Sequence, residues 1–141
     1  MILSQSAEYA IRAVVYLARG RNGRFAGVNE VSAATGVPAS YLAKVLGQLA
    51  RAGVLQSTRG PSGGFRLGTD PELIALEDVV DVFDEVEPRR CLLGSGVCGE
   101  VPSCPVHQLW TPVATRLREF LSTTTIADLS GTNSPIAGGA R

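Results

Sequence analysis

Apolar residues recur at three- and four-residue steps in several separated stretches of the chain, the spacing of one helix face, and in one short stretch they alternate instead. Ala7, Ala10, Ile11, Val14, Val15, Leu17 and Ala18 predict a helix over 3–19, ended by Gly20 and Gly23. Val28, Val31 and Ala34 predict a short second helix over 28–35, with Gly36 at its C-terminal side. Pro38 suits the first turn of a third helix over 38–52, carried by Tyr41, Leu42, Val45, Leu46 and Leu49 and stopped by Gly53. Helix, tight turn and helix are thus expected in succession.

From Val54 the period changes to two. Val54 and Leu55 begin a strand, Gly60, Gly63 and Gly64 make a flexible turn, and Phe65 and Leu67 resume the alternation, which predicts a hairpin. Leu76, Val79, Val80 and Phe83 space a fourth helix, and Pro88 breaks the pattern. A last helix is expected over 105–122, with Val106, Leu109, Val113, Leu117, Phe120 and Leu121 as its apolar stripe and Pro112 as a kink point. That stripe calls for a partner surface. The residues from 130 onward, ending in GTNSPIAGGAR, carry too little apolar surface to offset ordering entropy, and a disordered tail is expected there.

The expected fold is therefore mainly α with a small β-wing. A winged helix-turn-helix domain occupies 1–68, and 69–129 holds a helix, a cysteine loop (88–104) and the long last helix. At 141 residues there is no room for a separate large catalytic domain. The apolar run Ala10 to Ala18 is interrupted by Arg12 and preceded by Glu8, unlike a signal or membrane segment, so no membrane association is expected. Three cysteines cannot all pair, and they lie too close together to staple a secreted fold, which points to the reducing cytoplasm.

The formal net charge is zero, but its distribution is uneven. Residues 1–66 carry Arg12, Arg19, Arg21, Arg24, Lys44, Arg51, Arg59 and Arg66 against only Glu8 and Glu30, whereas 67–141 hold five arginines against eleven acidic residues. The basic half is the one with the helix-turn-helix pattern, so double-stranded DNA is the expected partner. Near the start of the 38–52 helix, Ser40 and Tyr41 offer hydroxyls, and Lys44 lies one turn on from Ser40. In the hairpin, Arg59 with Pro61 and Ser62 can bring a guanidinium and backbone amides to a phosphate or into the minor groove; Arg51 and Arg66 are weaker candidates. The same hairpin contains Gly60-Pro61-Ser62-Gly63-Gly64, which fits G-x-S-x-G. A hydrolase elbow needs a strand-to-helix turn and a histidine base, and neither is expected at this place.

Every cysteine and the only histidine fall within C-x6-C-x5-C-x2-H: Cys91, Cys98, Cys104 and His107. Thiolate and imidazole are ligands that zinc and iron prefer. The C-x2-C knuckles usual for structural zinc are absent, whereas the longer spacers allow a loop to wrap a bulkier iron-sulfur cluster; zinc stays open as the alternative.

The segments LSQSAEYAIRAVVYLA, PASYLAKVLGQLARAGVLQSTRGPSGGFRL and CPVHQLW resemble the bacterial iron-sulfur regulators of the IscR, NsrR and RirA type, and the resemblance covers residues 1 to about 129. It implies a homodimeric winged-helix transcription regulator, repressor or activator, in which the last helix makes the dimer contact. It also implies that Cys91, Cys98 and Cys104 are the cluster ligands. For the fourth, His107 matches the IscR-like position, and Glu8 stands where other members place an acidic ligand that reaches across to the partner's cluster. A 2Fe-2S cluster is the expected type. The first spacer is one residue longer than in IscR-like members, which leaves 4Fe-4S open. The signal so implied is redox state, nitric oxide or iron-sulfur supply. The rivals are a zinc-clasped interaction module and an electron-transfer protein.

Overall fold

A computed structural model describes residues 3–19, 23–84 and 105–131. Helix α1 (Gln5–Ala18) begins at Ser4, whose hydroxyl accepts the Ala7 N–H at 3.2 Å. Ala7, Ala10, Ala13, Val14, Val15 and Leu17 are all buried, because α1 runs through the middle of the fold and touches α2 (Val28–Thr35), α3 (Ala39–Arg51) and two C-terminal helices. Three small alanines on it let these neighbours approach closely.

The turn between α2 and α3 is built from side chains as well as backbone. Gly36 ends α2 in the left-handed region (φ 77°), where a Cβ would be strained. The buried Thr35 hydroxyl donates to the Val31 carbonyl at 2.7 Å, and Ser32 Oγ donates to the Val37 carbonyl at 2.5 Å. Pro38 then stands one position ahead of α3, as its N-cap. Leu42, Val45, Leu46 and Leu49 turn one face of α3 inward.

Strands β1 (Leu55–Thr58) and β2 (Gly64–Leu67) pair antiparallel, with Leu55 opposite Leu67 and Thr58 opposite Gly64. The hairpin does not stand free. Ala26 and Phe65 exchange two backbone hydrogen bonds of 2.8 Å, so the segment before α2 holds the second strand as a third, one-bridge partner. Gly64 is required by this contact, since a Cβ there would collide with the Ala26 carbonyl. The wing glycines therefore serve close packing as much as turning.

After a 3-10 turn at Pro71–Leu73 comes α4 (Leu76–Val80), shorter than the apolar pattern predicts; turn-type hydrogen bonds carry the chain on to Asp84. Helix α5 (His107–Thr123) is continuous through Pro112. Its Arg118 makes a two-pronged bond to the Asp81 carboxylate (3.0 and 2.9 Å), which fixes α5 to the end of α4. Beyond α5 the chain returns to residues 74–76: Leu76 N–H donates to the Thr124 carbonyl and Ile126 N–H to the Ile74 carbonyl, both at 2.8 Å. A short helix α6 (Ile126–Ser130) follows and packs on α1. Periodicity does not reveal α6, but its start carries a capping box in which Thr125 and Asp128 bond reciprocally (2.9 and 3.2 Å). Ser130, assigned to the tail from sequence, closes this helix; 132–141 lie outside the described residues.

One hydrophobic core joins these parts. Leu17, Leu42, Leu46 and Leu49 meet Val79, Val80, Leu121 and Ile126 in a single cluster that runs across position 68. The expected architecture, mostly helical with a two-stranded wing, is the one observed.

Candidate nucleic-acid interface

Because each helical residue turns by about 100°, the face of α3 opposite its buried leucines is fixed, and Ser40, Lys44 and Arg51 fall on it. All three are exposed. Among the described residues neither Lys44 nor Arg51 has an ion-pair or side-chain hydrogen-bond partner, so both charges are free to meet an anion. In the wing, Arg59, Pro61 and Ser62 are exposed at the tip, where Gly63 N–H closes the turn on the Gly60 carbonyl at 2.9 Å. Arg59 is likewise unpaired among the described residues. The tip is a strand-to-strand turn, so the G-x-S-x-G sequence lacks the strand-to-helix geometry of a nucleophile elbow.

Other candidates are placed differently. Tyr41 is 37% exposed, but its hydroxyl is shared with Ser6 Oγ of α1 at 2.6 Å, and its ring meets the Tyr9 ring edge-on with centroids 5.4 Å apart. Arg66 turns back on the body: Nε donates to Gln56 at 3.0 Å, one terminal nitrogen donates to the Gly23 carbonyl at 2.9 Å, and the guanidinium lies 4.3 Å from the Phe25 ring centre. Arg24 is held by Glu30 through bonds of 3.1 and 2.8 Å. That hydrogen bonding, and then the charge of Glu30, raise the Arg24 guanidinium above its usual value. The basic half of the chain thus divides into cations that hold the fold and cations that face outward. Sequence reading missed Ser6, since nothing local marks a serine as the partner of a tyrosine on another helix.

Residues 3–132 match the family model for Rrf2, an iron-dependent transcriptional regulator. The chain belongs to the Rrf2 family. It is 36% identical over 132 residues to an HTH-type transcriptional regulator of Aquifex aeolicus, covering 92% of this chain and 91% of that protein. It is 33% identical over 134 residues to the HTH-type transcriptional regulator IscR of Vibrio campbellii, covering 94% and 79% respectively. Among solved structures, CymR, the global cysteine regulator of B. subtilis, superposes with a TM-score of 0.78 at 23% identity, over 94% of this chain and 98% of CymR. This Rrf2 protein is a DNA-binding transcription regulator and not an enzyme.

The metal-ligand candidates of this Rrf2 regulator fall mostly elsewhere. Cys91, Cys98 and Cys104, with the whole 88–104 loop, lie outside the described residues; His107 opens α5, but its side chain is outside them too. Glu8 is described: it sits half-buried in the first turn of α1, with no ion pair or side-chain hydrogen bond among the described residues. No described helix is long and apolar enough to cross a membrane.

Proposed function

We propose that this Rrf2 regulator binds promoter DNA as a homodimer and senses redox state, nitric oxide or iron-sulfur supply through a cluster held by Cys91, Cys98 and Cys104. The carrying observation is the confinement of all three cysteines and the only histidine to residues 91–107 of a chain in an iron-dependent regulator family. The donor set fits: three thiolates take the cluster irons, and a fourth site is open to His107 or to Glu8 of the partner subunit. Glu8 is a suitable carboxylate for that role because none of the described residues of its own chain engages it. A 2Fe-2S cluster is favoured over 4Fe-4S.

The homodimer is supported by α5. Leu109, Val113 and Phe120 stand 77, 55 and 53% exposed at near-heptad spacing, while Ala114 and Leu121 face the core. A second copy of this helix would cover them. Two copies of α3 would then enter major-groove half-sites about one helical turn, roughly 34 Å, apart. When bound, the cluster supplies a group that oxidation, nitric oxide or iron shortage can alter or remove. The protein's part is to pass that change to the spacing of the two α3 helices.

Anaerobic purification tests the reading. A brown protein whose visible absorbance bleaches in air or with nitric oxide is expected, and a colourless one holding one zinc per chain would overturn it in favour of a zinc clasp. Substituting His107→Ala and Glu8→Ala separately, while following the cluster spectrum, identifies the fourth ligand. A protein that fails to show salt-dependent binding to its own upstream DNA would point to electron transfer instead.

A further inference from the structure

Two hydrogen bonds at the N-terminal end of α1 belong to neither the wing nor the metal-ligand set. Ser4 N–H donates to the Asp84 carboxylate at 2.7 Å, a contact across eighty positions of sequence. Asp84 is the last described residue before 85–104, the segment that contains the three cysteines. Half a turn further along α1, Ser6 Oγ shares a hydrogen bond with the Tyr41 hydroxyl at 2.6 Å, and Tyr41 lies in the first turn of α3. Tyr9 supports the same contact through its ring. The start of α1 is therefore tied on one side to Asp84, which precedes the cysteine segment in sequence, and on the other to the first turn of α3.

We propose that Asp84 and Ser6 are positioning residues that set the first turn of α3 through α1, so that a displacement of Asp84 is delivered to the DNA-reading end of the helix. This rests on the DNA-binding reading above. The physical warrant is the stiffness of the link. The Asp84 bond is charge-assisted and lies at a helix N-terminus, where a carboxylate is favoured by the unpaired amides. From Ala7 onward one face of α1 is packed in the core, which limits how far the body of the helix can yield to a shift of its first turn. Tyr41 thereby has a different role from Lys44 and Arg59, because its hydroxyl faces Ser6 and its contribution to binding is orientation.

The test measures binding by fluorescence anisotropy to a labelled duplex that the wild-type protein has selected from a random-sequence pool. Asp84→Ala, Ser6→Ala and Tyr41→Phe are each expected to weaken binding roughly three- to tenfold, the range for removing one hydrogen bond, with the salt slope unchanged. The double variant Ser6→Ala/Asp84→Ala should be no weaker than the worse single one, since both break one chain of contacts. Losses that add in the double variant, or a Tyr41→Phe loss with Ser6→Ala at wild-type affinity, would overturn the link and make Tyr41 a direct groove contact. Amide exchange at Leu42 and Ala43, read without DNA, should quicken in Asp84→Ala and Ser6→Ala while α2 stays unchanged. Unchanged exchange at α3 would also overturn the proposal. If Asp84→Ala does not fold, the pair Ser4→Pro and Ser4→Ala replaces it: both lose the cap hydroxyl, only proline loses the N–H that Asp84 accepts, and only proline should reproduce the α3 effect. A wild-type protein that selects no duplex would sink the DNA reading, while the exchange experiment still decides the link.

Discussion

Helices α3 and α5 bury one face each in the same core, yet they turn opposite surfaces outward. Opposite Leu42, Val45, Leu46 and Leu49, α3 presents Ser40, Lys44 and Arg51. About 100° around the helix from the buried Ala114 and Leu121, α5 presents Leu109, Val113 and Phe120. A solvated cation costs a monomer nothing and gains from a polyanion, whereas exposed leucine, valine and phenylalanine on one helix leave apolar area in water that only another protein surface removes. One helix turns polar and charged groups to solvent and the other turns apolar ones, which suits the first to the proposed DNA contact and the second to the proposed dimer contact.

That contrast can be broken first on the apolar side. Val113→Asp with Phe120→Asp should shift the dimer constant by more than about a thousandfold, since about 1.5–3 kcal/mol per buried large side chain is removed from both protomers. Sedimentation should then show monomers, with thermal unfolding of the single chain little changed, because neither side chain joins the core. A dimer that persists would mean that α5 is not the interface. On the charged side, Lys44→Ala with Arg59→Ala should weaken DNA binding roughly a hundred- to a thousandfold at moderate salt. The salt slope should flatten by about 3.6 per dimer, at about 0.9 for each phosphate no longer neutralised. The same change made at Arg24 should leave that slope nearly intact, because Glu30 holds its charge. Equal slopes for both sets would erase the distinction between outward and inward cations.

Smaller effects test the scaffold that both helices share. Gly64→Ala should destabilise the fold by about 1–3 kcal/mol, as overpacking does, because the wing must move off the Ala26 carbonyl. Chemical denaturation measures this. Thr125→Ala should lower stability by about 1 kcal/mol through loss of the α6 cap, with no change in the salt slope. An unaltered denaturation midpoint would mean that α6 does not stabilise the return of the chain onto α1.

Much of the fold was legible because it is written in local period. The bounds expected for α1, α2, α3 and α5 lie within two residues of those observed. For the candidate site only exposure can be compared: Ser40, Lys44, Arg59, Pro61 and Ser62 are all exposed, on α3 and at the hairpin tip, as outward-facing candidates must be. The hydrogen bonds that Tyr41 and Arg66 make to other parts of the chain were not legible, since an aromatic hydroxyl or a guanidinium looks the same in sequence whether it faces solvent or another part of the chain. Helix α6 left only its capping box as a sign, five residues being too few for a periodic pattern.

What the sequence determined by itself is the set of helix faces, the basic half and the concentration of thiols and imidazole, because each is a property of neighbours along the chain. Only the tertiary structure decided which cations stay free, that Ala26 anchors the wing, and that Ser4 bonds to Asp84 and Ser6 to Tyr41. Those choices depend on groups that are distant in sequence and meet only when the core closes around α1, and packing, not local propensity, selects the partner.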